Sequence, residues 1–354
     1  MEIFKKIMAL PMLLFLALLS CSSGESKDEP IVENTESKLV INAEVVGTTS
    51  QLPNGDGSGV VNFKINSNSG TSYKVIFGDG QTLETTTGVF TYTYTSSGTK
   101  TFDINVTAFN GLKYLNSTKS IVVFVASKQI WADEFDVDGA PNSEKWSYDL
   151  GAGGWGNNEP QYYTKRLENS VVKDGVLKIH TIKENYLGST YTSARLQTSE
   201  NFSLKYGKVV FRAKLPAQAG TWPALWMLGS NISTVGWPAC GEIDVMEHVG
   251  NQLNKIFSTL HHPGHSGGNG DGLTKMISTA TSEFHTYTVD WRAETIKFYI
   301  DDTLFYTFTN NASLPFNQNF FLIINCAIGG DFGGAIDPNF TSSTFEIDYV
   351  RVYN

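Results

Sequence analysis

Residues 241–250 read GEIDVMEHVG and set Glu242, Asp244 and Glu247 into a stretch whose Ile243, Val245, Met246 and Val249 suit a buried strand. A carboxylate buried without a partner is costly, so three beside a core require a reason. Side chains alternate along a strand, which puts Glu242 and Asp244 on one face and Glu247, three residues on, out of phase. One extra residue, a β-bulge near Val245–Met246, would return Glu247 to the row. The outer Cα atoms of such a row lie roughly 13 Å apart, and two glutamates leaning inward bring their carboxyls far closer. Retaining glycoside hydrolysis needs two carboxyls about 5–5.5 Å apart, one ionised as nucleophile and one protonated as general acid. A third carboxylate beside the nucleophile helps hold the two pKa values apart. The plain alternative is a solvated acidic face on an edge strand. A zinc site is disfavoured, because the run lacks zinc-type histidine spacing and His248 points away from the row.

Such a row needs a rigid sheet, and the rest of the chain reads as sheet. The 354 residues include 33 glycines and 12% aromatics, and helix-period stretches are hard to find, so the fold class expected is all-β. Strands are suggested by GKVVFRAKL, EIDVME, HTYTVDWR, TIKFYID, NFFLIINCAI and FEIDYVRVY, all between residues 127 and 354. That segment has the size of a two-sheet jelly roll. Short alternating strands over 38–126, separated by Gly, Asn, Ser and Asp clusters, point to a smaller immunoglobulin-like β-sandwich. Within it, Phe77-Gly78-Asp79-Gly80 followed by Tyr92, Tyr94 and Gly98 resembles the PKD module, with Tyr92-Thr93-Tyr94 where that family carries His-x-Tyr. Asp79 is read as a turn aspartate bonding its own backbone.

Lys5 and Lys6 precede an apolar run, Ile7 to Leu19, too short to span a bilayer, so residues 1–20 read as a secretory signal. Leu18-Leu19-Ser20-Cys21 resembles a bacterial lipobox, which implies lipid on Cys21. Residues 21–37 are a polar, acidic tether in which Lys27-Asp28-Glu29 resembles the export tags of surface lipoproteins. An exported bacterial lipoprotein of the outer membrane or cell surface is expected, a monomer touching membrane only through its lipid. The net charge of −9, without a basic cluster beyond the N-terminus, argues against nucleic acid as a partner. Export leaves Cys240 and Cys326 free to pair, although free buried cysteine suits their strand-like runs better.

Sugar rings present apolar C–H faces that stack on aromatics. Trp155 lies in the glycine-rich stretch GAGGWGNNE, where there is little core to pack into. Trp237 lies just before the acidic strand. His261, on STLHHPG, is a candidate neighbour of Glu247 or else a core or surface histidine. HSGGNGDG (265–272) reads as a flexible loop bordering the cleft.

Glu242-Ile243-Asp244-Val245-Met246-Glu247 resembles the bulged E-x-D-x-x-E active-site strand of glycoside hydrolase family 16. WADEFD (131–136), WGNNEPQYYT (155–164), YTSARLQT (191–198), WPALWML (222–228), WPACGEIDVME (237–247), FHTYTVDW (284–291) and IDYVRVY (347–353) extend the likeness over the whole second domain, closest to its laminarinase branch. The resemblance implies Glu242 as nucleophile, Glu247 as general acid/base and Asp244 as helper. It adds Trp222, Trp226, Asn158 and Arg195 to the sugar-binding cleft. No cofactor is needed for catalysis. Alternation places Asp348 on the face of Val350 and Val352, and the family's structural calcium would resolve that oddity with Glu134, Asp348 and a Gly175 carbonyl, an edge aspartate bonded to backbone being the alternative. The implied partner is a β-1,3-glucan, with mixed-linkage glucan as a further substrate. A galactan hydrolase and a non-catalytic glycan-capturing lipoprotein are the competing readings, the latter weakened because all three carboxylates are present.

Overall fold

The computed structural model describes residues 38–354. The signal sequence, Cys21 and the tether lie outside the described residues. Strands Leu39–Val45, Val60–Ser67 and Val89–Thr93 form one sheet, and Ser72–Ile76, Thr82–Thr85, Gly98–Asn110 and Lys113–Val125 another. The period-2 pattern is plain: Val61, Phe63 and Ile65 are buried on one strand, Phe102, Ile104, Val106 and Ala108 on another, with polar residues between them. Asp79 sits in the turn after Ser72–Ile76 and accepts a hydrogen bond from the Gln81 N–H at 3.0 Å, as the turn reading expects. Among the described residues, no sheet mixes strands from the two sides of residue 126. By spatial proximity, the chain divides into two compact units, the larger joining Ser120–Asn354 to Ala43–Phe63 and Phe90–Asp103.

From Gln129 onward the chain builds a 10-stranded and a 7-stranded sheet. The larger one centres on Ser342–Tyr353 and Gly207–Lys214, paired antiparallel. The smaller runs in the order Asp271–Met276, Lys255–His261, Glu242–His248, Thr221–Gly229, Phe320–Ile328, Arg195–Gln197, Ser147–Asp149. One continuous core joins them: Val209, Phe211, Phe345, Ile347 and Val350 from the first, Leu225, Met227, Ile243, Leu260, Leu322 and Ile324 from the second. The two helices described, Ile232–Val235 and Gly330–Gly333, are single turns. This is the all-β, two-sheet architecture expected of 127–354.

Two strands carry irregularities. Thr221–Gly229 holds Pro223 near the middle of the sheet. The proline is tolerated because pairing with Glu242–His248 starts only at Ala224, so Pro223 occupies an edge-like position on that side. In Ser342–Tyr353 the register against Gly207–Lys214 jumps from Tyr349↔Arg212 to Ile347↔Ala213, leaving Asp348 as the extra residue of a bulge. Ile347, Val350 and Val352 are all buried while Asp348 is half-buried and faces Arg212, so it does not share the face of the two valines.

Candidate active site

The bulge between the acids is present. Asp244 pairs with Trp226 and Glu247 with Ala224, while Met246 still pairs with Leu225, so one residue is inserted between Asp244 and Glu247. The neighbour on the other side shows the same shift, Asp244↔Thr259 followed by Glu247↔Phe257. Ile243 and Met246 enter the core, and all three carboxylates line a cleft of ≈ 900 Å³. His248 is buried away from the row, its Nε2 accepting the Asn254 N–H at 3.1 Å.

Two tryptophans hold the outer acids. Trp222 Nε1 donates to Glu247 Oε1 and Trp237 Nε1 to Glu242 Oε2, each at 2.9 Å. His261 Nε2 lies 3.2 Å from Asp244 Oδ2 and 3.9 Å from Glu242 Oε1. The register sets His261 opposite Glu242 and Phe257 opposite Glu247, so His261 sits directly against Glu242 and Asp244 and acts on Glu247, its expected neighbour, through charge alone. Burial first, then the charge of Asp244, pushes Glu247 up to about 8. Burial alone raises Asp244 to about 8, against the pull of its hydrogen bond with Glu242. Glu242 is raised well above the usual carboxylate range, again by burial and then by Asp244, with His261 and Trp237 opposing. Three acids so placed cannot all ionise near neutral pH, and the row retains protons beside a carboxylate.

The other expected residues arrange themselves unevenly. Trp155, with φ of 49, overhangs the cleft, and the Arg195 guanidinium lies between its ring at 5.0 Å and that of Trp226 at 4.8 Å. Asp149 holds Arg195 in place through a 2.7 Å bond to Nε. Trp222, Trp226 and half-exposed Trp237 line the cleft. Asn158 does not line it: its amide donates to Asp331 Oδ1 at 2.9 Å, and the neighbouring Asn157 faces the cavity instead. Gly267, Gly268, Gly270 and Gly272 do border the cleft, although strand structure resumes at Asp271.

Sequence reasoning missed several cleft residues. Asn325 accepts the Trp226 Nε1–H at 2.8 Å and donates to Tyr163 Oη at 3.1 Å. Its signal was an amide inside the apolar run FFLIINCAI. Buried Glu159 receives Gln161, Tyr163 and Asn157, at 2.6, 3.2 and 3.1 Å. Asp331 and Phe332, on the single turn after Phe320–Ile328, carried no local signal.

The expected calcium ligands do not fit a cation. Both oxygens of Glu134 accept from Arg351 at 2.8 Å, which holds that carboxyl below its usual range, and Asp348 pairs with Arg212. Gly175 is the left-handed turn residue (φ 74) between Ser170–Lys173 and Val176–Tyr186. Neither acid belongs to a cluster of three potential ligands among the described residues. Cys240 and Cys326 are buried and free, in different apolar clusters.

The family model for glycosyl hydrolases family 16 matches residues 157–351. A β-glucanase of Rhodothermus marinus is 44% identical over 241 residues, covering 63% of this chain and 84% of that protein. The solved laminarinase from the same organism superposes with a TM-score of 0.62 at 42% identity, over 64% of this chain and 97% of that one. A laminarinase from Flavobacterium sp. UMI-01 gives 0.61 at 41%, over 64% and 100%. With its bulged acidic strand, its cleft and these relatives, the chain belongs to glycosyl hydrolases family 16.

Proposed function

We propose that the protein is an endo-acting, retaining glycoside hydrolase that cleaves β-1,3-glucosidic bonds in laminarin-like glucans. The observation that carries this is the row Glu242, Asp244, Glu247, brought into phase by the bulge on the wall of a tryptophan-lined cleft. Glu242 is the nucleophile, attacking the anomeric carbon while Glu247 protonates the departing oxygen. Glu247 then takes a proton from the water that hydrolyses the glycosyl–enzyme. Asp244, hydrogen-bonded with Glu242 and beside His261, is coupled to the nucleophile, so that a proton passed from Glu242 to Asp244 leaves Glu242 ionised for attack. Trp155, Trp222, Trp226 and Trp237 supply stacking faces, and the open groove accommodates a chain rather than a chain end. The names of the relatives, β-glucanase and laminarinase, support a β-1,3-linked glucan. Mixed-linkage glucan is a second substrate in this reading.

The same reading makes the chain an exported lipoprotein anchored at Cys21, with a PKD-like module over 38–126 as spacer, acting as a monomer. Incubation of the purified protein with laminarin, mixed-linkage β-glucan, agarose and κ-carrageenan, with the anomers followed by NMR, tests the activity. Mixed short oligosaccharides from laminarin, β-anomer first, are expected. Release from a galactan alone would replace the substrate, and silence on all four would leave glycan capture as the function.

A further inference from the structure

On the far side of His261 lies a second cluster that the carboxylate row does not use. His262 and His265 are joined by reciprocal backbone hydrogen bonds, His262 N–H to the His265 carbonyl at 2.8 Å and the reverse at 2.9 Å. Gly264, at φ +85, makes this tight turn possible. The two imidazoles stack with centroids 4.8 Å apart, and both reach one carboxylate: His262 Nε2 lies 2.9 Å from Asp271 Oδ2, and His265 Nδ1 3.0 Å from Asp271 Oδ1. The potential ligand atoms of the three residues all lie within 4.8 Å of one another. His262 is buried, its ring edge-on to Phe316 at 5.8 Å and near Phe308 at 6.1 Å, so its direction is set by packing.

We propose that His262, His265 and Asp271 form a binding site for a divalent transition-metal ion of the zinc type, with water completing a tetrahedron. Two imidazole nitrogens and one carboxylate are the donor set that such ions prefer, whereas calcium takes oxygen donors. Zinc bonds of about 2.0–2.2 Å place tetrahedral donors roughly 3.3–3.6 Å apart, inside the 4.8 Å that bounds the separations here, and small side-chain rotations supply the difference. His262 is held rigidly by its neighbours, and His265 is half exposed, which gives the ion a way in. The site closes a loop. Residues 266–270, between His265 and Asp271, include Gly267, Gly268 and Gly270, which border the substrate cleft. The ion therefore clips both ends of a glycine-rich cleft wall, lowering the conformational entropy that the wall loses when held against a sugar chain.

The test uses the tag-free protein stripped with EDTA and dialysed. Calorimetric titration with zinc chloride is expected to give one equivalent bound. The thermal midpoint should rise by roughly 5 °C or more at a hundredfold excess over Kd, and cobalt(II) should give the visible bands of a tetrahedral centre. His265→Ala, at a half-exposed position, and Asp271→Asn should each weaken binding at least about tenfold, the loss of one ligand. Absence of stoichiometric binding to the wild-type protein would overturn the proposal. So would binding that survives His265→Ala and Asp271→Asn but is lost in Glu242→Gln, since that places the ion on Glu242, Asp244 and His261, whose donor atoms also cluster.

Discussion

Trp222 Nε1 donates a hydrogen bond to Glu247 Oε1 across 2.9 Å. Trp222 comes from Thr221–Gly229 and Glu247 from the neighbouring Glu242–His248, so the bond crosses two strands that the bulge has put out of step. One indole thereby serves two ends: its N–H fixes the direction of a carboxyl, and its ring lines the cleft. Trp237 does the same for Glu242 from the segment preceding the strand.

Glu247 sets the alkaline limit of activity, and that bond moderates it. Glu247, raised to about 8 by burial and by Asp244, is protonated below that pH and able to act as an acid. The kcat/KM profile is expected to fall above about pH 8. The Trp222 N–H favours the ionised form, so Trp222→Phe raises the Glu247 pKa further, and the basic limb moves to higher pH. A limb that stays in place or moves down would show that Glu247 is not the group titrating.

The two glutamates separate kinetically. Removing a general acid costs about 10²–10⁴-fold, and the cost falls on leaving groups that need a proton. Glu247→Ala is expected to lose this much on laminarin yet to form the glycosyl–enzyme rapidly from an aryl β-glucoside with an acidic phenol, seen as a burst. Glu242→Ala should be inert towards both substrates, since no nucleophile remains. Burst kinetics in Glu242→Ala would reverse the roles.

Stability and catalysis oppose each other at this site. An exposed glutamate in the unfolded chain titrates near 4.3 (about), whereas folded Glu247 titrates at about 8. Between these values the folded state binds more protons, so stability falls as pH rises through the window. Glu247→Gln removes that loss. Its thermal midpoint should exceed wild type at pH 8 by a few degrees, roughly 2–4 °C per kcal/mol regained, with the difference vanishing near pH 4. Calorimetry at the two pH values decides this.

Trp155 and Arg195 should act through binding. The Arg195 guanidinium, anchored by Asp149, stiffens the Trp155–Trp226 wall. Trp155→Ala removes a stacking face of about 0.5–1.5 kcal/mol, so KM on laminarin is expected to rise about 2- to 13-fold while kcat changes little. A fall in kcat with unchanged KM would move Trp155 from substrate binding to the reacting centre.

What the sequence determined is local. Alternation put Glu242 and Asp244 on one face, and the odd spacing to Glu247 called for a bulge that the register shift supplies. Alternating apolar positions likewise specified strands such as Gly207–Lys214 and Thr295–Ile300, because side-chain direction within a strand depends only on neighbouring residues. Pairing between strands depends on residues far apart in the chain, and there only the tertiary structure decided. Register gave His261 to Glu242 and Asp244 rather than to Glu247. A bulge opposite Arg212 and Ala213 turned Asp348 outward to an arginine, and Arg351 took Glu134, removing the expected calcium ligands. Asn325, flagged only by being an amide in an apolar run, and Glu159 and Asp331, without such a signal, reached the cleft for the same reason, carried there by sheet order and by the turns that follow it.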